Sequence, residues 1–180
     1  MKNADLAILG LIVEKPRYGY EIEQVIEERN MRDWTEIGFS SIYHILGRLE
    51  KNNYLSARLQ ASEGRGPARK VHEVTDDGRS AWYQATLDAL STPVKCDQSF
   101  YLGMVGLSAV PKEEALQALE NYKQRLQERR DLTSARHQEI GEGDAFFIVD
   151  AMFDYGLHRI DAEIAWIEEF KQRLARADLT

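Results

Sequence analysis

Phe39–Asn53 reads FSSIYHILGRLEKNN, and this stretch decides the fold. Ile42, Ile45, Leu46 and Leu49 recur at i, i+3, i+4 and i+7, which places them on one apolar stripe of a helix. Ser40 can cap its start, because a side-chain oxygen there accepts from an orphan backbone N–H. Asn52 and Asn53 can end it, because Asn tolerates the left-handed backbone. The other side carries Ser41, Tyr43, His44, Gly47, Arg48 and Lys51, a run of hydrogen-bonding and basic groups. Such a face fits a solvated surface as well as a nucleic-acid contact. Tyr43 could stack, bond a phosphate or sit half-buried. Gly47 costs about 1 kcal/mol in a helix, and could admit close approach of DNA or of another helix.

The residues that follow favour the nucleic-acid reading. Tyr54–Ala61 alternates, with Leu55, Ala57, Leu59 and Ala61 on one face and Ser56, Arg58 and Gln60 on the other. Arg69–Thr75 is shorter and β-branched. Between them GRGPARK, Gly64–Lys70, carries three positive charges and no negative one. Two strands with a glycine-containing connection predict a hairpin, here with a projecting tip. The loop lacks the GxxxxGK[ST] spacing of a nucleotide-binding loop and no helix follows it directly. Thr75, with Asp76 and Asp77 behind it, caps a fourth helix over roughly Asp76–Leu90. Upstream, Asn3–Val13 reads as a helix capped by Asn3. Glu14–Tyr18 reads as a connector, and Gly19–Arg29 as a second helix with Ile22, Val25 and Ile26 inward. Three helices and then a hairpin is the order of a winged helix-turn-helix. In that arrangement the third helix enters the major groove, and the hairpin, or wing, lies beside it.

Charge supports this locally. The chain of 180 residues has 23 basic and 30 acidic side chains, a formal net charge of -7. Ser40–His72 nonetheless holds six basic residues against Glu50 and Glu63, a local excess of four positive charges. Phosphate contact depends on the local footprint, so global acidity does not argue against DNA.

Ser91-Thr92-Pro93 marks a boundary, giving a winged domain over 1–91 and a helical domain over 92–180. In the second, Asp97–Leu107 reads as a short apolar helix. A long helix starts with Pro111 at its first position and runs to about Arg136, with Ala115, Leu119, Tyr122 and Leu126 as its seam. A last helix runs from Asp144 to about Ala175. Phe146, Val149, Phe153, Ile160, Ile164, Ile167 and Leu174 form its stripe, flanked by Met152, Trp166 and Phe170. Two helices cannot bury that much apolar surface against each other alone, so a partner is implied, most simply a second copy of the chain.

Other function classes find little support. The single cysteine, Cys96, excludes an internal disulfide and a cysteine-based metal site. His44, His72, His137 and His158 show no metal-ligand spacing; Asp154, His158 and Asp161 share a helix face that reads as solvated or ion-paired. No catalytic constellation stands out, so neither an enzyme, a cofactor nor a metal is expected. The apolar N-terminal stretch is broken by Glu14, Lys15 and Pro16. It is too short to span a bilayer and lacks a signal-peptide pattern, which reads as a cytoplasmic protein. Trp34, Trp82 and Trp166 fit either packing or a site for a flat aromatic ligand.

Three ordered motifs carry a family resemblance. RYGYEI (Arg17–Ile22), SSIYHILGRLEKNNYL (Ser40–Leu55) and GPARKVHEVTDDGR (Gly66–Arg79) resemble the PadR family of transcriptional regulators. The long C-terminal half resembles its longer-tailed, virulence-activator-type members. Two positions depart from the pattern: His72 stands where the family usually has tyrosine, and Asn53 where a glycine usually closes the recognition helix. The resemblance implies a homodimeric DNA-binding regulator, usually a repressor, on a pseudo-palindromic operator. Dimerisation would run through the C-terminal helices, with Leu119, Tyr122, Leu126, Phe146, Val149, Phe153, Ile160, Ile164 and Ile167 as its residues. Tyr43, His44 and Arg48 would face the groove, with Lys51 beside them. Ser40 and Ser41 would hold phosphate at the helix N-terminus, and Arg65, Arg69 and Lys70 would contact the backbone near the wing. Some family members release DNA on binding a small aromatic effector, for which Trp34 and Trp82 are the candidates here. A ligand-binding or protein-interaction dimer without DNA binding is the competing reading, motivated by the acidic total and the Glu-rich second helix.

Overall fold

The computed structural model describes residues 1–35, 37–61, 68–93, 98–139 and 146–177. The chain divides into two compact units, Met1–Lys95 and Cys96–Thr180. The wing-tip residues Ser62–Pro67, with Arg65, and also Cys96, lie outside the described residues.

In the first unit α1 (Asn3–Glu14), α2 (Gly19–Glu28) and α3 (Phe39–Lys51) pack around one apolar core. Ile8, Leu9, Leu11 and Ile12 of α1 meet Ile22 and Ile26 of α2 and the Ile42, Ile45, Leu46 and Leu49 stripe of α3. The periodicity of Phe39–Asn53 therefore names the buried face. Its ends differ in detail. Gly38, not Ser40, is the N-cap of α3, in extended backbone, and Ser40 lies inside the first turn. Lys2, not Asn3, precedes α1. At the other end Asn53 adopts φ 65°, the left-handed conformation expected of it.

The sheet has three antiparallel strands in the order β1 (Arg17–Tyr18), β3 (Arg69–Val74), β2 (Leu55–Gln60). The strand β1 falls within the segment read as a connector. It is only two residues long, pairing Arg17 with His72 and Tyr18 with Val71. The strand β2 also departs from expectation: only Leu55 is buried, and Leu59 is 76% exposed. Its alternation marks no second buried face. β3 instead carries the sheet's inward contacts through Val71 and His72.

The helix α4 (Asp76–Ser91) begins with a tightly built cap. The Thr75 hydroxyl accepts from the Gly78 N–H at 2.9 Å and donates to the Asn53 carbonyl at 2.6 Å. The Thr75 N–H reaches the Tyr54 carbonyl at 3.1 Å. A Cβ on Gly78 would lie 2.0 Å from that same Tyr54 oxygen, so the close approach requires glycine. This cap ties α4 to the turn that ends α3.

The second unit contains α5 (Gln98–Val105), a 3-10 turn over Gly106–Ala109, α6 (Lys112–Gln138) and α7 (Phe146–Arg176). Pro111 is the N-cap of α6, one place before its first turn. The helices α6 and α7 run antiparallel, with Ala115, Leu119, Leu126, Ile160, Ile167 and Leu174 buried. Cross-pairs Lys123–Glu168 at 2.9 Å and Arg130–Asp161 at 2.5 Å flank the seam. Phe100 of α5 joins through rings, stacking on Tyr122 at 5.1 Å and meeting Trp166 edge-on at 6.0 Å.

Candidate nucleic-acid interface

Burying the α3 stripe turns the helix's other residues outward. Ser40, Tyr43, His44, Gly47 and Lys51 are exposed. The Ser41 hydroxyl is engaged, donating to the Gly38 carbonyl at 2.5 Å. Nothing lies within 4 Å of where a Gly47 Cβ would stand, so the glycine faces open space and not a neighbouring helix. The Tyr43 ring leans on α2: a Cβ on Gly19 would meet its Cε1 at 2.7 Å. Gly19 thus lets a 57%-exposed phenol lie against the N-terminus of α2.

The exposed α3 face continues onto β3. A cleft of about 260 Å³ is shared by Tyr20, Tyr43 and Gly47 with Arg69 and Lys70. Arg69 is set by Tyr18, its guanidinium 4.7 Å above the ring and its Nη1 donating to the phenol oxygen at 2.8 Å. A neutral phenol fixes the side chain and leaves its charge intact. Lys70 differs: its Nζ donates to both carboxylate oxygens of Glu50 at 2.8 Å. His72 Nε2 lies 2.9 Å from Oε1 of the same carboxylate, which can only accept, so Nε2 carries the proton. Burial alone would raise the Glu50 pKa. The hydrogen bonds and charges of Lys70 and His72 outweigh it and hold the group below the ordinary carboxylate value. His72 itself is buried, so this position packs.

Arg48, read from sequence as facing the groove, pairs instead with the buried Asp5 of α1. Arg58 pairs with Glu73 across the hairpin at 2.7 Å. Among the described residues, Lys51 and Arg69 are the recognition-side cations without a carboxylate partner. Tyr18, Tyr20 and Glu50 line the cleft although sequence reasoning did not assign them to the interface, and all three stand inside the quoted motifs.

The other expected sites are placed as follows. Leu119, Leu126, Ile160 and Ile167 are buried within the chain itself, in the α6–α7 seam; Tyr122, Val149, Phe153 and Ile164 are half-buried, and the Phe146 side chain lies outside the description. Phe153 stacks on His137 at 5.3 Å. Large apolar side chains stay exposed on the first half of α7: Phe147, Ile148, Met152 and Tyr155. Trp34 is exposed, whereas Trp82 packs on Gly10 of α1, and neither lines the cleft. His158 bonds the Asp154 backbone oxygen, which together with the Asp154 charge raises its pKa, while Asp161 is taken by Arg130. No metal-binding group occurs among the described residues, and no helix there is long and apolar enough to cross a membrane.

Three packed helices, a three-stranded sheet and a basic wing strand beside an exposed third helix define a DNA-binding winged helix. The chain belongs to the PadR-like family of transcriptional regulators, whose sequence profile matches residues 8–84. An uncharacterized protein of Lysinibacillus sphaericus is 37% identical over 78 residues, 43% of this chain and 70% of that protein. The fold is that of Bacillus subtilis PadR solved in complex with operator DNA, at 17% identity and TM-score 0.75 over 96% of this chain and 99% of that one. The same relative in complex with p-coumaric acid gives TM-score 0.76 at 18% identity, over 96% and 98% of the two chains. The PadR-like regulator BC1756 of Bacillus cereus gives 0.60 at 20% identity, over 97% of each.

Proposed function

We propose that this regulator binds a pseudo-palindromic operator as a homodimer and represses transcription, with α3 in the major groove and the wing on the adjoining backbone. The observation that carries it is the continuity of the exposed α3 face with Arg69 and Lys70 in one cleft. Bacillus subtilis PadR, which shares the fold, is recorded with operator DNA, and this supports the reading. Tyr43 and His44 are the base-side candidates. Ser40 stands at the helix start, and Lys51 and Arg69 supply phosphate contacts. The C-terminal helices dimerise, and a small aromatic effector releases the DNA, in keeping with the p-coumaric acid recorded with the same relative.

A gel shift on promoter DNA flanking the protein's own gene tests the reading. Lys51→Ala and Arg69→Ala should each weaken binding alike on all sequences and lower the salt slope by about one. His44→Ala should instead change sequence preference. No shift at low salt would favour a ligand-binding dimer without DNA.

A further inference from the structure

Lys70, the second cation of β3, already has an anionic partner. Glu50 presents two oxygens at 2.8 Å to its ammonium, much as a phosphate would. Glu50 stands on α3 and lines the same cleft as Tyr43, Gly47 and Arg69. Among the described residues of the wing, passing DNA therefore meets Arg69 uncovered by a carboxylate, and Lys70 and Arg58 each neutralised by one. The Lys70–Glu50 pair is built to exchange. The Lys70 side chain is 54% exposed and that of Glu50 26%. A lysine ammonium on its flexible stem can pass from one oxygen anion to another without backbone movement. The carboxylate is not orphaned when Lys70 leaves, because His72 Nε2 remains at 2.9 Å.

Resting on the reading of the chain as a DNA-binding regulator, we propose that Glu50 is a specificity-determining residue of the interface. It withholds Lys70 from phosphates at large and yields it to a phosphate that a seated α3 brings into the cleft. Specificity is a difference of affinities, and an internal competitor that lowers the non-specific member raises that difference.

The test is Glu50→Gln in the full chain, titrated over a range of salt against a random-sequence duplex and against DNA flanking its own gene, with elution from heparin measured in parallel. Glutamine keeps the shape and a partner for His72, and a melting curve checks the fold. The variant should bind random duplex about threefold to tenfold tighter, with a salt slope steeper by about one. The gain on the flanking DNA should be smaller, so the preference narrows. In a Lys70→Ala background the gain should shrink to the removal of a bare carboxylate's repulsion, and the steeper salt slope should vanish, because no cation is left to release. Unchanged or weaker random-duplex binding, or a gain undiminished without Lys70, overturns the proposal. Glu50→Gln combined with Lys70→Gln, which removes the pair without changing the net charge, gives a second measure. It should barely alter random-duplex binding, whereas a full loss of one phosphate contact would mean Lys70 was never withheld. If the unaltered protein binds neither duplex, the regulator reading itself falls. In that case later heparin elution of Glu50→Gln, diminished by Lys70→Ala, still supports the masking, and unchanged elution overturns it.

Discussion

Two glycines of the winged unit should respond to alanine in opposite directions. A Cβ on Gly78 would stand 2.0 Å from the Tyr54 carbonyl oxygen, a backbone atom that cannot turn aside. Gly78→Ala must shift the start of α4 and disturb the Thr75 cap, and overpacking of this kind costs about 1–3 kcal/mol. Gly47 has open space around it in the middle of α3. Gly47→Ala should therefore stabilise the unit by about 1 kcal/mol, the helix-propensity difference. Denaturant melts of both variants check the signs. If DNA lies against α3, Gly47→Ala should also weaken operator binding while raising the melting midpoint, a split that a purely structural glycine would not give.

Among the elements, α1 and α3 are joined by Arg48 and Asp5, and the outcome of mutating Arg48 follows from that pairing. Removing the guanidinium leaves the Asp5 carboxylate buried with its partner gone. Arg48→Ala should cost about 1–3 kcal/mol of stability, whereas Lys51→Ala, one turn on and exposed, should cost little; urea melts of the two variants decide it. The C-terminal end of α1 holds a second ionic group. Glu14 accepts from Arg29 at 2.7 and 2.9 Å and from Arg17 at 3.0 Å. The Arg29 hydrogen bonds, helped by Arg17 and opposed by partial burial, lower the Glu14 pKa below 4.5. A depressed carboxylate stabilises above its unfolded value and loses that contribution as pH falls through the folded one. Wild type should thus melt above Glu14→Gln at neutral pH, and the gap should close as pH drops below about 4.5. A gap that persists in strong acid would point to packing. These elements also show where the sequence was legible. The 3.6-residue period of α3 named its buried face, and Thr75 named the start of α4, because both signals are local. The two-residue β1 has no period to read, and the Arg48–Asp5 and Glu50–Lys70 pairs join residues far apart in the chain. A polar face records which side chains point away from the core, not which of them already have partners.

For the whole molecule, the acidic second unit differs from the winged unit in what it leaves uncovered. In α6 and α7 the C-terminal half of one helix lies against the N-terminal half of the other, and Ile160, Ile167 and Leu174 are buried within the chain. The first half of α7 keeps Ile148, Met152 and Tyr155 at i, i+4 and i+7, 64%, 45% and 60% exposed, with Phe147 beside them at 80%. A contiguous apolar face of this kind marks an interaction surface. On the reading proposed above it meets its counterpart on a second copy, so the dimer contacts lie one face away from the seam residues that the periodicity alone picked out. Phe147→Ser combined with Ile148→Asp should leave the α6–α7 seam intact and turn the dimer into a monomer, seen by sedimentation velocity with an unchanged helical spectrum. A monomer holds only one half-site and forgoes the effective concentration, of order millimolar for short connections, that places the second recognition helix. Operator affinity should then fall by roughly two orders of magnitude or more, while weak binding to random duplex changes far less. If the double variant remains a dimer, the exposed face of α7 is not the interface.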